Sequence, residues 1–267
     1  MTKITMLGTG NGVAMDLYNT CFVIQNEIGN FLVDTGGSIE LIKRLDQVNI
    51  DYKTIHHIFL SHGHTDHILG LIWLFRKISL DIKMGETIEP ISIYCNDVVY
   101  NSIKEVLKYF FPSKFIDLID NLVNYIVLDD GDKYSINGIE YIFFDIKAKS
   151  TKQFGFECIL NNKKLLFLGD EPLNPVLYDK FKNFDYVMHE VFCLESEEKI
   201  YHAFLKNHST TRNVCDVMNK LGVKNLILYH TEESHKERRK ELYTKEAEEY
   251  FKGNVVVPDD MEDIIIK

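Results

Sequence analysis

Ser61-His62-Gly63-His64-Thr65-Asp66-His67 places three imidazoles and a carboxylate within six residues, directly after the apolar run Ile58-Phe59-Leu60. That mix of nitrogen and oxygen donors suits Zn2+, Mn2+ or Fe2+. Spacing divides the work: His62 and His64, two apart on an extended turn, can chelate one ion, while Asp66 and His67, opening the next helix, point toward a neighbouring one.

Outward from this segment, other suggestive residues also stand just after apolar strands. Asp34 follows Phe31-Leu32-Val33, Asp170 comes shortly after Leu165-Leu166-Phe167-Leu168, and His230 follows Leu226-Ile227-Leu228-Tyr229. Strands hold loop residues rigidly, so residues in this position can converge on one place. Gly8-Thr9-Gly10-Asn11-Gly12 lacks the glycine spacing and the following helix of a nucleotide-binding fingerprint, and reads as the loop that opens the fold near the same place.

Short apolar strands recur along the 267 residues, from residues 4–7 to residues 254–257. Asn137-Gly138 and Asn161-Asn162 carry tight-hairpin chemistry, which predicts an antiparallel middle of the chain. Helical spacing links Ile39, Ile42 and Leu45, then Val214, Val217, Met218 and Leu221 ahead of Gly222. Asn96 can cap a helix carrying Val99, Ile103, Val106, Leu107 and Phe110. The charged run 236–249 reads as a helix facing solvent. With no repeat and no Pro/Gly/Ser-rich linker, residues 1–267 are expected to form a single α/β domain of two mixed sheets packed face to face with helices outside.

A net charge of -10 disfavours a sequence-independent grip on nucleic acid, which needs clustered cations to replace phosphate counterions. Five widely spaced cysteines with no Cys-x-x-Cys pair indicate neither a disulfide framework nor a cysteine metal knuckle. A reducing compartment, the cytoplasm, is the expectation, and no apolar stretch suggests a leader or a membrane span.

In order along the chain, Asp34, the segment His62 to His67, Gly169-Asp170 and His230 resemble motifs of the metallo-β-lactamase superfamily. The resemblance implies its αββα sandwich and one or two divalent metals (Zn, Mn or Fe) held by His62, His64, Asp66, His67, Asp170 and His230. Asp170 would bridge the two ions, and Asp34 would stand behind them, accepting an imidazole N–H. Met188-His189-Glu190-Val191-Phe192 and His208-Ser209-Thr210 resemble two loops of the ribonuclease Z branch, and Val257-Pro258-Asp259-Asp260-Met261 resembles its tail. That branch implies a metal-dependent phosphodiesterase in which a metal-bound hydroxide attacks phosphorus while His208, oriented by Glu190, gives a proton to the leaving oxygen. Asp66, His208 and Glu190 are the catalytic residues it implies. His56, His57, His189, His202 and His235 carry no such assignment.

The chain departs from that pattern twice. Where the third motif supplies a histidine, six residues before Gly155, stands Lys149, and no histidine occurs between Ile68 and Met188. A protonated lysine has no lone pair for a metal, so the ion at His62 and His64 is expected to be the weaker. Lys149 then either adds its charge to the site and contacts a substrate phosphate, or is a surface lysine. Secondly, the stretch between Gly155 and Gly169 reads as a tight hairpin with no room for the arm with which ribonuclease Z enzymes grip transfer RNA. The expected substrates are small or cyclic nucleotides or short RNA ends, with no DNA and no membrane partner, and a homodimer is left open. The alternatives are a lactone, thioester or ester hydrolase on the same metal centre, and a non-catalytic metal-binding protein of the same fold.

Overall fold

The computed structural model describes residues 2–267. The strands β1 (Lys3–Gly8), β2 (Cys21–Gln25), β3 (Asn30–Val33), β4 (Ile55–Leu60), β5 (Ile91–Cys95) and β6 (Val123–Val127) build the first sheet. The second takes β7 (Lys133–Ile136), β8 (Ile139–Asp145), β9 (Phe154–Leu160), β10 (Lys163–Phe167), β11 (Tyr186–Glu190), β12 (Asn225–Tyr229) and β13 (Asn254–Val256). The last strand, β14 (Asp263–Ile265), returns to the first sheet beside β1. The orders are β14-β1-β2-β3-β4-β5-β6 and β13-β12-β11-β10-β9-β8-β7.

Both sheets are mixed in the same way. β14, β1, β2 and β3 pair antiparallel and β3 to β6 parallel; β7 to β10 pair antiparallel and β10 to β13 parallel. The antiparallel middle therefore follows the hairpin reading. Asn137 and Gly138 have φ of 49° and 75°, and Asn161 and Asn162 have 49° and 64°, the left-handed pairs that a two-residue hairpin needs.

The described residues form seven helices, α1 (Glu40–Gln47), α2 (Thr65–Lys83), α3 (Asp97–Phe110), α4 (Ser113–Leu122), α5 (Glu198–Tyr201), α6 (Thr211–Leu221) and α7 (Arg239–Tyr250), and the longer ones cover the outer faces. Leu71, Phe75, Val99, Ile103 and Ile119 of α2 to α4 pack on the outer face of the first sheet, and Val214, Met218, Tyr243 and Ala247 of α6 and α7 on that of the second. Between the sheets lies an aromatic core of Phe22, Phe31, Phe59, Phe143, Phe156 and Phe167. The result is the αββα sandwich that the resemblance implied.

The structure adds β7, β14, α4 and α5 to the elements read from the sequence. It also corrects the reading of 236–249 as a solvated helix. Arg239, Tyr243 and Ala247, four apart, are buried, and the Arg239 guanidinium donates to Thr231 Oγ1 (3.1 Å), the Pro258 carbonyl (2.6 Å) and Asp259 Oδ1 (2.8 Å). No helix among the described residues is long and apolar enough to cross a membrane.

Candidate metal centre

The parallel strands of both sheets deliver their C-terminal ends to one edge of the sandwich. Asp34 leaves β3, Ser61 and His62 leave β4, Asp170 follows β10, Glu190 ends β11 and His230 leaves β12. Ligand sites favour this edge of a parallel arrangement because the loops there can diverge without disturbing the ladders. Asp34 and His230 turn in the left-handed region, with φ of 55° and 64°.

At the centre stands the Asp170 carboxylate, with Oδ2 at 3.2 Å from His62 Nε2, 3.5 Å from His67 Nε2, 3.6 Å from His230 Nε2 and 3.9 Å from His64 Nδ1. Asp66 Oδ2 lies 3.3 Å from His67 Nε2 and 3.7 Å from His230 Nε2. The opening loop reaches this point as expected, since a Cβ added at Gly12 would stand 3.0 Å from Asp66 Oδ2.

One carboxylate behind the cluster governs two imidazoles. Asp34 accepts from the Ser61 backbone N–H (2.8 Å) and hydroxyl (2.7 Å), and lies 2.8 Å from His67 Nδ1. A carboxylate only accepts, so the His67 proton sits on Nδ1 and the Nε2 lone pair faces the cluster. Ser61 Oγ, its proton committed to Asp34, is 2.9 Å from His62 Nδ1 and fixes that ring in the same sense.

The donor set fits a cation. Among the described residues, His67 Nε2, both His230 ring nitrogens and Asp170 Oδ1 are buried without any hydrogen-bond partner, an arrangement that buried polar atoms rarely adopt unless something else satisfies them. Among the described residues three groups have donor atoms within 4.8 Å of one another: His62, His67 and Asp170; Asp66, His67 and His230; and Glu190, His208 and His230. The sequence spacing paired His62 with His64 and His67 with Asp66, whereas here His67 stands with His62 as well. His64, 45% exposed, lies outside these groups with Nδ1 at 2.9 Å from His62 Nε2. Burial works against the Asp170 charge, yet the neighbouring His62, His64 and His67 hold the carboxyl well below its usual range.

His208 borders the cluster, its ring 5.1 Å from that of His230 and stacked on Phe192 at 4.8 Å and 5°. His208 Nδ1 is 3.5 Å from Glu190 Oε2, and neither Glu190 oxygen has a hydrogen-bond partner among the described residues. Burial disfavours the imidazolium, but the Glu190 carboxylate, with Asp170 behind it, pushes the His208 pKa up to about 9.

Lys149 is exposed, and its ammonium has no ion pair among the described residues. Its backbone N–H instead donates to Glu171 Oε2 (2.7 Å), and Ser150 donates to Glu171 Oε1 from both backbone N–H (2.9 Å) and hydroxyl. Glu171, buried beside Asp170, thus fastens the Lys149 loop to the centre, and Gln153 Oε1 takes the Asp170 N–H (3.3 Å). Sequence reasoning missed Ser61, Gln153, Glu171 and Phe192. Ser61 and Phe192 carried a signal, each by its place inside a motif segment. Of the histidines left aside, His189 is buried, with Nδ1 2.6 Å from the Glu190 carbonyl.

Comparison with known proteins shows the family and the fold. The sequence model of the family described as anti-Pycsar protein Apyc1 matches residues 2–247. The ribonuclease Z of Archaeoglobus fulgidus is 21% identical over 309 aligned positions, spanning 97% of this chain and 96% of that protein. The anti-Pycsar protein Apyc1 of Bacillus phage BSP38 is 32% identical over 111 positions, 40% of this chain and 42% of its own. Among solved structures, the metallo-β-lactamase fold protein YhfI from Bacillus subtilis superposes with a TM-score of 0.79 at 16% identity, covering 98% of both chains.

Proposed function

This chain belongs to the anti-Pycsar protein Apyc1 family, and from that premise we propose that it hydrolyses phosphodiester bonds of small nucleotides, cyclic ones among them, or of short RNA ends. It is a hydrolase of the metallo-β-lactamase superfamily, with ribonuclease Z among its relatives. The observation that carries the proposal is the Glu190–His208 pair set beside the Asp170 cluster, an acid positioned next to a donor set for cations. A thioester hydrolase on the same fold has less need of such an acid, because a thiolate departs without being protonated.

In this reading His62, His64, Asp66, His67, Asp170 and His230 hold one or two divalent ions, Zn, Mn or Fe. A divalent metal in such a set supplies Lewis acidity toward phosphoryl oxygens and lowers the pKa of water. Asp34 keeps the imidazole lone pairs turned inward through His67 and Ser61. Glu190 keeps His208 protonated near neutral pH, and His208 gives that proton to the leaving oxygen. Phe192 holds the ring face so that the proton is delivered in one direction.

Two features support a small substrate. The β9–β10 connection is the two-residue turn Asn161-Asn162, so no arm projects there, and the net charge is -10. Five buried free cysteines support a cytoplasmic setting.

The test is a substrate panel of bis-p-nitrophenyl phosphate, nucleoside cyclic phosphates, precursor transfer RNA, lactones and thioesters, each with Mn2+, Zn2+ or Fe2+. Phosphodiesters should be cleaved, with small nucleotides preferred over precursor transfer RNA in kcat/KM at physiological salt. Turnover confined to lactones or thioesters overturns the reaction class, and efficient 3′ processing of precursor transfer RNA overturns the substrate size.

A further inference from the structure

Beside His208 opens a slot of about 170 Å3 that the reaction chemistry leaves without a role. Pro172, Leu173 and Phe204 give it apolar walls, and Lys149, Asn207 and His208 also line it. Three of these residues are otherwise unexplained. Phe204 is 49% exposed and stacks on no ring among the described residues. The side-chain amide of Asn207, a residue held at φ 61°, has no hydrogen-bond partner among the described residues, and neither has the Lys149 ammonium.

We propose that this slot receives the nucleobase of the substrate, with the ring lying on Phe204 and its polar edge meeting Asn207 and Lys149. The inference rests on the phosphodiesterase reading above and assigns the part of the nucleotide that the donor cluster and His208 do not touch. Its size is the first argument, because pockets for drug-sized ligands run to roughly 300 Å3 and more, and this one suits a single ring system. Its chemistry is the second. An exposed aromatic face beside an amide that both donates and accepts is how proteins take hold of an unstacked base. Its place is the third, since His208 lines the slot and also stands 5.1 Å from His230, so a base seated there lies within one nucleotide of the bond to be cut.

The placement also gives Lys149 a use. Glu171 fastens the backbone of the Lys149 loop at 2.7 Å and 2.9 Å, so the lysine stands at the slot on a fixed support. Lys149 and Phe204 are then specificity-determining residues, and the donor cluster is indifferent to which base arrives.

Phe204→Ala and Phe204→Tyr test this against two substrates, a nucleoside 3′,5′-cyclic phosphate and the baseless diester methyl p-nitrophenyl phosphate. For Phe204→Ala the ratio of kcat/KM, nucleotide over baseless diester, should fall roughly 5- to 150-fold, the worth of one aromatic stack, and the fall should sit in KM. Phe204→Tyr, which keeps the ring, should hold the ratio near that of the unaltered protein. An unchanged ratio in Phe204→Ala, or equal losses on both substrates, overturns the slot. Calorimetric titration with a nucleoside 5′-monophosphate separates this from the activity reading. If the unaltered protein cleaves no phosphodiester, the proposed function fails, yet binding that Phe204→Ala weakens still upholds the slot. Binding that is absent, or indifferent to Phe204→Ala, refutes it.

Discussion

Asp34→Asn isolates the control that one buried carboxylate exerts over two imidazoles. Asp34 has φ 55°, a region that Asn tolerates and Ala does not, so the amide removes the charge without straining the turn. The Asn oxygen can still accept the Ser61 N–H, now at 2.8 Å. What replaces Oδ2 is an NH2 group facing two donors, the Ser61 hydroxyl at 2.7 Å and His67 Nδ1 at 2.8 Å. Ser61 can rotate its hydroxyl and accept, but His67 has no such freedom. Its proton moves to Nε2 and points into the cluster, and the relay through Ser61 to His62 Nδ1 reverses as well. Substitutions behind metal ligands typically cost 10- to 100-fold in affinity, which is about 1.4 to 2.7 kcal/mol. Zinc titration against a chromophoric chelator, comparing unaltered and Asp34→Asn protein of matching circular dichroism, measures it. Affinities equal within about twofold would show that Asp34 does not set the imidazole tautomers.

Further outcomes follow from the same geometry. His208→Ala should keep its metal and lose roughly 10²- to 10⁴-fold in turnover of diesters with alkoxide leaving groups, with a smaller loss for p-nitrophenyl esters; equal losses would remove the proton-donor role, and lost metal would make His208 a ligand. Purified protein should retain close to one tight metal per chain by elemental analysis, with a second binding weakly and better as pH rises and protons leave the donors; two tightly held ions would mean that another group fills the place left by Lys149. Phe156, fully buried with ring centroids 5.7 Å from Phe59, 5.3 Å from Tyr141 and 5.2 Å from Phe167, joins both sheets. Phe156→Ala should lower stability by about 3 to 5 kcal/mol in urea unfolding, and a loss under about 1 kcal/mol would mean that this core repacks freely.

Most strands, the sandwich and the donor residues were legible because each is a local signal. Apolar runs mark strands, Asn-Gly and Asn-Asn mark their turns, and the donors either adjoin one another in sequence or sit just past a strand. The elements missed are those whose stability comes from distant partners. β14 has three residues and exists because Ile264 pairs with Ile4, from the opposite end of the chain. α4 buries only Phe115 and Ile119, too few positions to declare a period. On α7 the core positions carry Arg239, Tyr243 and Ala247, of which Arg239 reads as surface by its charge, although its guanidinium is satisfied by three partners from other segments.

Lys149 shows where a one-dimensional reading stops. The spacing to Gly155 located the departure, and the chemistry of an ammonium explained why it makes a poor metal ligand. Neither could say what the lysine faces. That depends on Glu171, which fastens the loop from beside Asp170, and on Phe204 and Asn207, which arrive from a segment after β11. A site built from consecutive motif residues can be read from the sequence, because the chain brings its donors together locally. A pocket whose walls come from three separate loops cannot, because its shape exists only after the sheets have set the distances between them. His62 to His67 belong to the first kind, whereas Asp170 and His230 join them only through the fold, as the walls of the slot beside His208 do, which is why the reaction class was the easier inference and the slot had to wait for the fold.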